Sequence, residues 1–206
     1  MRFVLASASP ARLAVLRAAG IDPVVRVSSV DEEALAASLP DRDPATLVTA
    51  LARAKADAVA EAVREEFGDA VVVGCDSMLE HDGQVVGKPG SADVARTRWA
   101  AMAGSTGTLF TGHAVLRLAG GSSVDRAEAA QATVVRFGSP SERELEAYLA
   151  TGEPLGVAGS FTLDGLGGWF MAGVDGDPSS VIGISLPLTR QLLADVGVSV
   201  VDLWTA

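Results

Sequence analysis

The residue with the clearest chemical potential is an acid that follows a buried run. Ala70-Val-Val-Val-Gly-Cys75 is continuously apolar, as in a strand covered on both faces, and it ends at Asp76. A carboxylate at the exit of such a strand emerges where α/β sheets bind ligands, and it can accept a proton or ligate a metal. Asp31-Glu32-Glu33 forms a second acidic cluster, which reads either as the solvated start of a helix or as oxygen donors for Mg2+ in phosphoryl chemistry.

Positive charge is confined to a few suggestive places. In Ser7-Ala-Ser9-Pro-Ala-Arg12, small hydroxyl residues precede a helix start, whose free N–H groups and dipole can hold a phosphate. Arg12 is placed to add a bidentate contact to the same anion; read alone, the segment is also an ordinary capped helix. Lys55 falls four residues after Leu51 and three before Ala58, on or beside an inward-packing stripe, where an ammonium is costly unless paired or snorkelling. Lys88 lies in Gly83-Gln-Val-Val-Gly87-Lys-Pro89, one residue short of a Walker loop and followed by a proline that cannot open the required helix. Between glycine and proline it sits either on a rigid loop facing a ligand or at an exposed hairpin exit. These two are the chain's only lysines, against fourteen arginines.

Other candidates carry less. Gly165-Leu-Gly-Gly168 precedes Trp169-Phe-Met171 rather than a helix, so it is not a dinucleotide fingerprint. Cys75 ends a buried run and reads as packing, and His81 and His113 lack zinc-like spacing. Asp164, Asp175 and Asp177 read as turn acids, one of which is a candidate to face a base or metal.

The elements that must position these residues are legible locally. A strand is expected from Arg2 to Ala6, then a helix capped by Ser9 with Pro10 first and Gly20 just past its end. A second helix is signalled by Asp43 and Pro44 and runs to about Glu66, with Leu47, Leu51, Ala58 and Ala62 on one face. His81-Asp-Gly83 is turn chemistry, and Ser91 caps a helix that Gly104 stops. Two strands, Thr108 to Leu118 and Ala127 to Phe137, flank Gly120-Gly121. Ser141-Glu-Arg-Glu144 is a capping box, and a last helix runs from Pro187 to Gly197. Strands and helices alternate early and strands cluster later, which predicts one α/β domain over residues 1–206 with a mixed sheet.

Composition sets the boundaries. With 206 residues, 49% of them hydrophobic, the chain can bury a substantial core, and disorder is excluded. A net charge of -10 argues against general nucleic-acid binding, so any polyphosphate must be met by a local gathering of cations. One cysteine excludes an internal disulfide; no run of eighteen uncharged apolar residues and no signal-peptide core occur, so a cytoplasmic location without membrane attachment is expected.

Several segments then fall into one register. Leu5-Ala-Ser-Ala-Ser-Pro-Ala-Arg12, Val30-Asp-Glu32, Ala52-Arg-Ala-Lys55-Ala, Gly74-Cys-Asp76-Ser and Gly87-Lys-Pro89 occur in the order seen in the Maf family of nucleoside triphosphate pyrophosphatases. Phe110-Thr-Gly-His-Ala, Tyr148-Leu-Ala-Thr-Gly-Glu-Pro154, Ala158-Gly-Ser-Phe161 and the run from Gly176 to Pro187 extend the resemblance over nearly the whole chain. It implies a Maf-like (inosine triphosphatase-like) mixed α/β sheet with flanking helices and a cleft between two lobes, often homodimeric. It also implies hydrolysis of a nucleoside triphosphate between the α and β phosphates. By resemblance, Asp76 matches the proton acceptor, and Ser7, Arg12, Lys55 and Lys88 match phosphate-handling positions, joined by the N–H groups after Ser9. Glu32 matches an acidic position that, with Asp76, would hold Mg2+ or Mn2+. Ala11, Ser77 and Asp164 fall where family members choose their base: Ala158-Gly-Ser-Phe161 and Asp164 look closer to the subgroup acting on 7-methyl-GTP, but Ala11 and Ser77 match neither familiar subgroup and none of the three matches one fully, so base preference is open. The alternative is a nucleotide-sensing regulatory protein, for example in division control, without metal-dependent turnover.

Overall fold

The computed structural model describes residues 1–39 and 43–205. Among these, seven strands form one sheet in the order β2-β1-β3-β5-β6-β7, with β4 paired to β3. The strands are β1 (Arg2–Ala6), β2 (Val24–Val25), β3 (Asp69–His81), β4 (Gln84–Val86), β5 (Thr106–Ala119), β6 (Ser122–Phe137) and β7 (Met171–Asp175). β1 runs parallel to β2 and β3, and every other pairing is antiparallel. The helices are α1 (Pro10–Ala18), α2 (Glu32–Ser38), α3 (Pro44–Val63), α4 (Ala92–Met102), α5 (Glu142–Ala150), α6 (Pro178–Ile182) and α7 (Leu186–Asp195). None of the described helices is long and apolar enough to cross a membrane.

Alternation along the central strands sorts side chains between two faces. Phe3, Leu5, Val71, Val73 and Val115 pack with Leu16 of α1 and Leu192 and Leu193 of α7. Val4, Ala6, Val72, Ala114 and Leu116 pack under Ala52, Ala56 and Val59 of α3. Both faces are covered, which explains the unbroken apolar run at residues 70–75. A third cluster, built on Leu79, Trp99, Leu109, Phe137 and Phe161, lies farther along β3 and β5, with Trp99 meeting Phe137 and Tyr148 edge to face.

Local signals placed most elements well. Ser9, Asp43, Ser91 and Ser141 cap their helices, and the Ser141–Glu144 capping box is present. Asp82 and Gly83 both take positive φ in the β3–β4 turn, as an Asp-Gly hairpin requires. β6 begins at Ser122, ahead of the expected Ala127, and two further expectations, both bearing on the cleft, differ. β3 does not stop at residue 75: it continues to His81, so Asp76 lies within the strand, not at its exit. On α3, which ends at Val63, the buried stripe contains Leu51, Ala52, Lys55, Ala56 and Val59, whereas Ala58 and Ala62 are exposed.

The continuation of β3 creates a notch. One edge of β3 is paired with β5 from Asp69 to Glu80. On the other edge, β1 pairs only as far as Gly74 and β4 begins at Leu79, leaving residues 75–78 without a strand neighbour there. Ser7 follows the end of β1 and Lys88 follows the end of β4, so the two segments flank that gap.

Two glycines bring α3 onto the sheet beside it. A Cβ at Gly74 would stand 2.1 Å from the Ala52 carbonyl oxygen, and one at Gly112 2.2 Å from the Val48 carbonyl group. The helix therefore rests on bare backbone. Asp76, two residues beyond Gly74, faces the same side, and Lys55 lies one turn beyond Ala52. Replacing Gly74 by alanine should lower stability by ~1–3 kcal/mol, the usual range for overpacking, and should displace Lys55. Urea unfolding checks this against Gly87→Ala, where an added Cβ meets nothing within 4 Å and stability should hold.

Candidate active site

A cleft of about 650 Å³ opens at the notch, a size suited to a nucleotide. Ser7, Ser9, Arg12, Glu32 and Lys55 line it together with Asp76, Ser77, Lys88 and Asp164, so residues spread over much of the chain meet in one place.

At its centre Lys55 Nζ donates to Asp76 Oδ1 at 2.6 Å, both side chains being more than nine-tenths buried. Lys55 also pairs with Glu32 at 2.9 Å, and Glu32 remains half exposed at the start of α2. An ammonium has three donors, so one stays available to a ligand. Burial raises the Asp76 carboxyl above the ordinary carboxylate range, against the opposing pull of Lys55 and Arg12. That combination describes a carboxylate easier to protonate than a free one, fixed in place by a cation.

The turn between β1 and α1 is organised around Arg12. Its Nε donates to the Gly183 carbonyl at 2.7 Å, Nη1 to Ser7 Oγ at 3.0 Å and the Cys75 carbonyl at 2.9 Å, and Nη2 to Ser77 Oγ at 3.2 Å. Four of the five guanidinium N–H groups are thereby engaged. The sequence suggested a bidentate anion contact; the geometry leaves one Nη2 N–H for a ligand. Arg12 ties together the residue after β1, the middle of β3 and the turn after α6.

The hydroxyls around it have defined directions. Ser7 Oγ accepts from the Ser9 amide at 3.2 Å and from Arg12 Nη1, which occupies both acceptor sites and leaves its O–H to donate. Ser9 Oγ accepts from the Arg12 amide as the α1 cap. Thr111 Oγ1 donates to the Ser180 carbonyl at 3.0 Å, so the 2.9 Å contact between Ser77 and Thr111 uses the Ser77 hydrogen. Ser77 faces the Arg12 side of β3 and Asp76 the Lys55 side, as strand alternation dictates.

Lys88 is exposed and makes no hydrogen bond or ion pair among the described residues. The preceding carbonyl, of Gly87, accepts from Arg98 Nη1 at 2.6 Å and from the Gly159 amide at 3.3 Å, which fixes the loop that presents it. Asp164, which is exposed, lines the cleft with Thr162 and Leu163.

Two residues near the site are excluded from its chemistry. Burial pushes the Cys75 thiol up to about 11, so it is not a nucleophile near neutral pH. Burial, helped by the charge of Arg12, holds His113 down at about 4. Its neutral ring accepts from the Ser185 amide at 2.8 Å, supporting the turn that receives Arg12. Thr111 and Arg98 were not singled out from sequence; Thr111 becomes identifiable only through the register that sets it opposite Ser77.

No cluster of three or more metal-ligating side chains occurs among the described residues. Glu32 and Asp76 nevertheless form a two-carboxylate set, and Mg2+ commonly takes one or two carboxylates and completes its shell with phosphate oxygens and water. The donors therefore fit a cation that arrives with a polyphosphate, not one caged by protein.

The family model described as Maf-like protein matches residues 2–196. A protein of Saccharopolyspora erythraea is 68% identical over 205 residues, spanning 99% of this chain and 97% of its own. Relatives from Rhodococcus jostii (64% identical, 99% and 96% covered) and Mycolicibacterium gilvum (56% identical, 99% of each chain) are equally complete. All three bear the name nucleoside triphosphate pyrophosphatase. With the match extending over nearly its full length, the chain belongs to the Maf family.

Proposed function

We propose that this protein hydrolyses nucleoside triphosphates between the α and β phosphates, releasing pyrophosphate and a nucleoside monophosphate. The observation that carries this reading is the buried Asp76–Lys55 contact at the floor of a cleft that also receives Ser7, Arg12 and Lys88. The names of its full-length relatives support it.

Asp76 accepts a proton from water as that water attacks the α-phosphorus; the bond to the α–β bridging oxygen breaks, and pyrophosphate leaves. Lys55 holds Asp76 in position and directs its third N–H to the phosphate chain. Lys88, whose donors have no partner among the described residues, meets the same chain from the other side of the notch. The Ser7 O–H and the remaining Nη2 N–H of Arg12 donate to phosphate oxygens. Most of the catalysis is positioning and charge stabilisation, as expected for phosphoryl transfer. Ser7, with both acceptor sites taken, has no lone pair free for covalent attack.

Charge balance argues for a divalent cation. Arg12, Lys55 and Lys88 face Glu32, Glu33, Asp76 and Asp164, so the charged lining carries a formal -1 and would repel a bare triphosphate. Glu32 and Asp76 would hold Mg2+ or Mn2+, which when bound would neutralise the phosphates and polarise the scissile bond.

Three outcomes follow. In water labelled with 18O, the label should enter the monophosphate, and Asp76→Asn should reduce pyrophosphate release by ~100-fold or more with the circular-dichroism spectrum retained. Orthophosphate as the product, or undiminished turnover by the variant, contradicts the reading. Removing divalent cations with a chelator should stop pyrophosphate release, and adding back Mg2+ or Mn2+ should restore it.

A further inference from the structure

Outside the reacting centre, one carboxylate organises a whole wall of the cleft. Glu153 opens a short 3-10 turn after α5 and does not itself line the cleft. Its Oε1 accepts from the Thr162 hydroxyl and, at 3.1 Å, from the Gly167 amide; its Oε2 accepts from the Leu166 amide, also at 3.1 Å. Thr162 Oγ1, having donated to Glu153, accepts from the Gly167 amide at 3.1 Å and from the Tyr148 hydroxyl at 3.4 Å. The backbone from Thr162 to Gly167 thus folds around a single side chain.

The glycine run that matched no dinucleotide motif finds its explanation here. A Cβ at Gly165 would stand 2.7 Å from Glu153 Oε1, and one at Gly167 would stand 2.5 Å from the Tyr148 hydroxyl and 2.7 Å from the Thr162 backbone. Only bare backbone approaches the carboxylate this closely. Burial raises the Glu153 carboxyl, but the hydrogen bonds from Thr162, Gly167 and Leu166 outweigh it and leave the group below its ordinary value. The loop is therefore built for an ionised Glu153. Glutamine cannot replace it, because its amide N–H groups would confront one of these donors.

What the loop presents to the cleft is Thr162, Leu163 and Asp164, with Phe161 just before it. This stretch contains no cation, and the Asp164 carboxylate repels phosphate. A triphosphate seated on Lys55 and Lys88 leaves this apolar, acceptor-bearing wall to the nucleobase.

We infer that Glu153 is a positioning residue for base selection: it touches no part of the substrate, and by holding residues 162–167 it sets the wall against which the base is discriminated. The inference rests on the pyrophosphatase reading above and deepens it. Losing this anchor alters recognition of the base and leaves the phosphate end untouched.

The test compares wild type with Glu153→Gln, measuring kcat/KM for ATP, GTP, CTP, UTP and dTTP alongside competitive inhibition by inorganic tripolyphosphate, which has no base. The ratio between the best and worst nucleotide should shrink ~10-fold, the scale of one or two lost hydrogen bonds, with the tripolyphosphate inhibition constant unchanged. A parallel fall for all nucleotides with the ratio intact, or a matching loss of tripolyphosphate inhibition, overturns the inference. Gly165→Ala perturbs the same contact from the loop side; it should show the same loss of discrimination and decides the matter if Glu153→Gln does not fold. Failure of the wild type to release pyrophosphate from any nucleotide would instead refute the underlying function.

Discussion

A lysine and an aspartate buried against each other under α3 are the constraint on which the rest of the site depends. Removing two charges from water is costly, and their mutual attraction repays that cost only with close contact and further hydrogen bonding. Lys55 meets both conditions, at 2.6 Å from Asp76 and 2.9 Å from Glu32. Two carboxylates around one ammonium also leave the group net negative, an arrangement poorly suited to stability alone and well suited to receiving further cationic charge. The contact exists because the sheet beneath α3 is bare at Gly74 and Gly112. Packing and chemistry are thus one design: the glycines that admit the helix also set how deep its lysine sits.

The positive residues divide their labour according to their chemistry. Arg12, with a planar fork of donors, is spent on joining β1, β3 and the turn at Gly183, and most of its hydrogen-bonding capacity faces protein. The two lysines are point charges, one buried and paired, the other exposed and without a partner among the described residues. The same division explains why adjacent residues of β3 serve different ends. Asp76 turns toward α3 and Lys55, whereas Ser77 turns toward Arg12 and Thr111.

Much of this was legible in the residues themselves. Caps at Ser9, Ser91 and Ser141, the Asp82-Gly83 turn and the apolar run at 70–75 are local signals, and each marked its element. The extent of β3 was not legible, because Ser77-Met-Leu-Glu-His81 neither continues the apolar run nor alternates polar and apolar side chains, and only the pairing with β5 and β4 identifies it as strand. The depth of Lys55 escaped for a similar reason: a charge in a helical stripe reads as an edge residue until its partners on β3 and α2 are known. The free donors of Arg12 and Ser7 could not be counted from sequence, since their partners at Cys75, Ser77 and Gly183 are set by the fold. The role of Glu153 was hidden likewise, its ligands being backbone amides of a loop that has no regular pattern.

The most direct test of the central pair is titration of the Asp76 carboxyl itself, by carbon-13 NMR of aspartate-labelled protein, with the resonance assigned by its loss in Asp76→Asn. Burial raises this group and Lys55 opposes the rise, so it should titrate above the ordinary carboxylate range in the wild type and higher still in Lys55→Met. A wild-type value at or below that range, or one unmoved by loss of Lys55, would contradict the account.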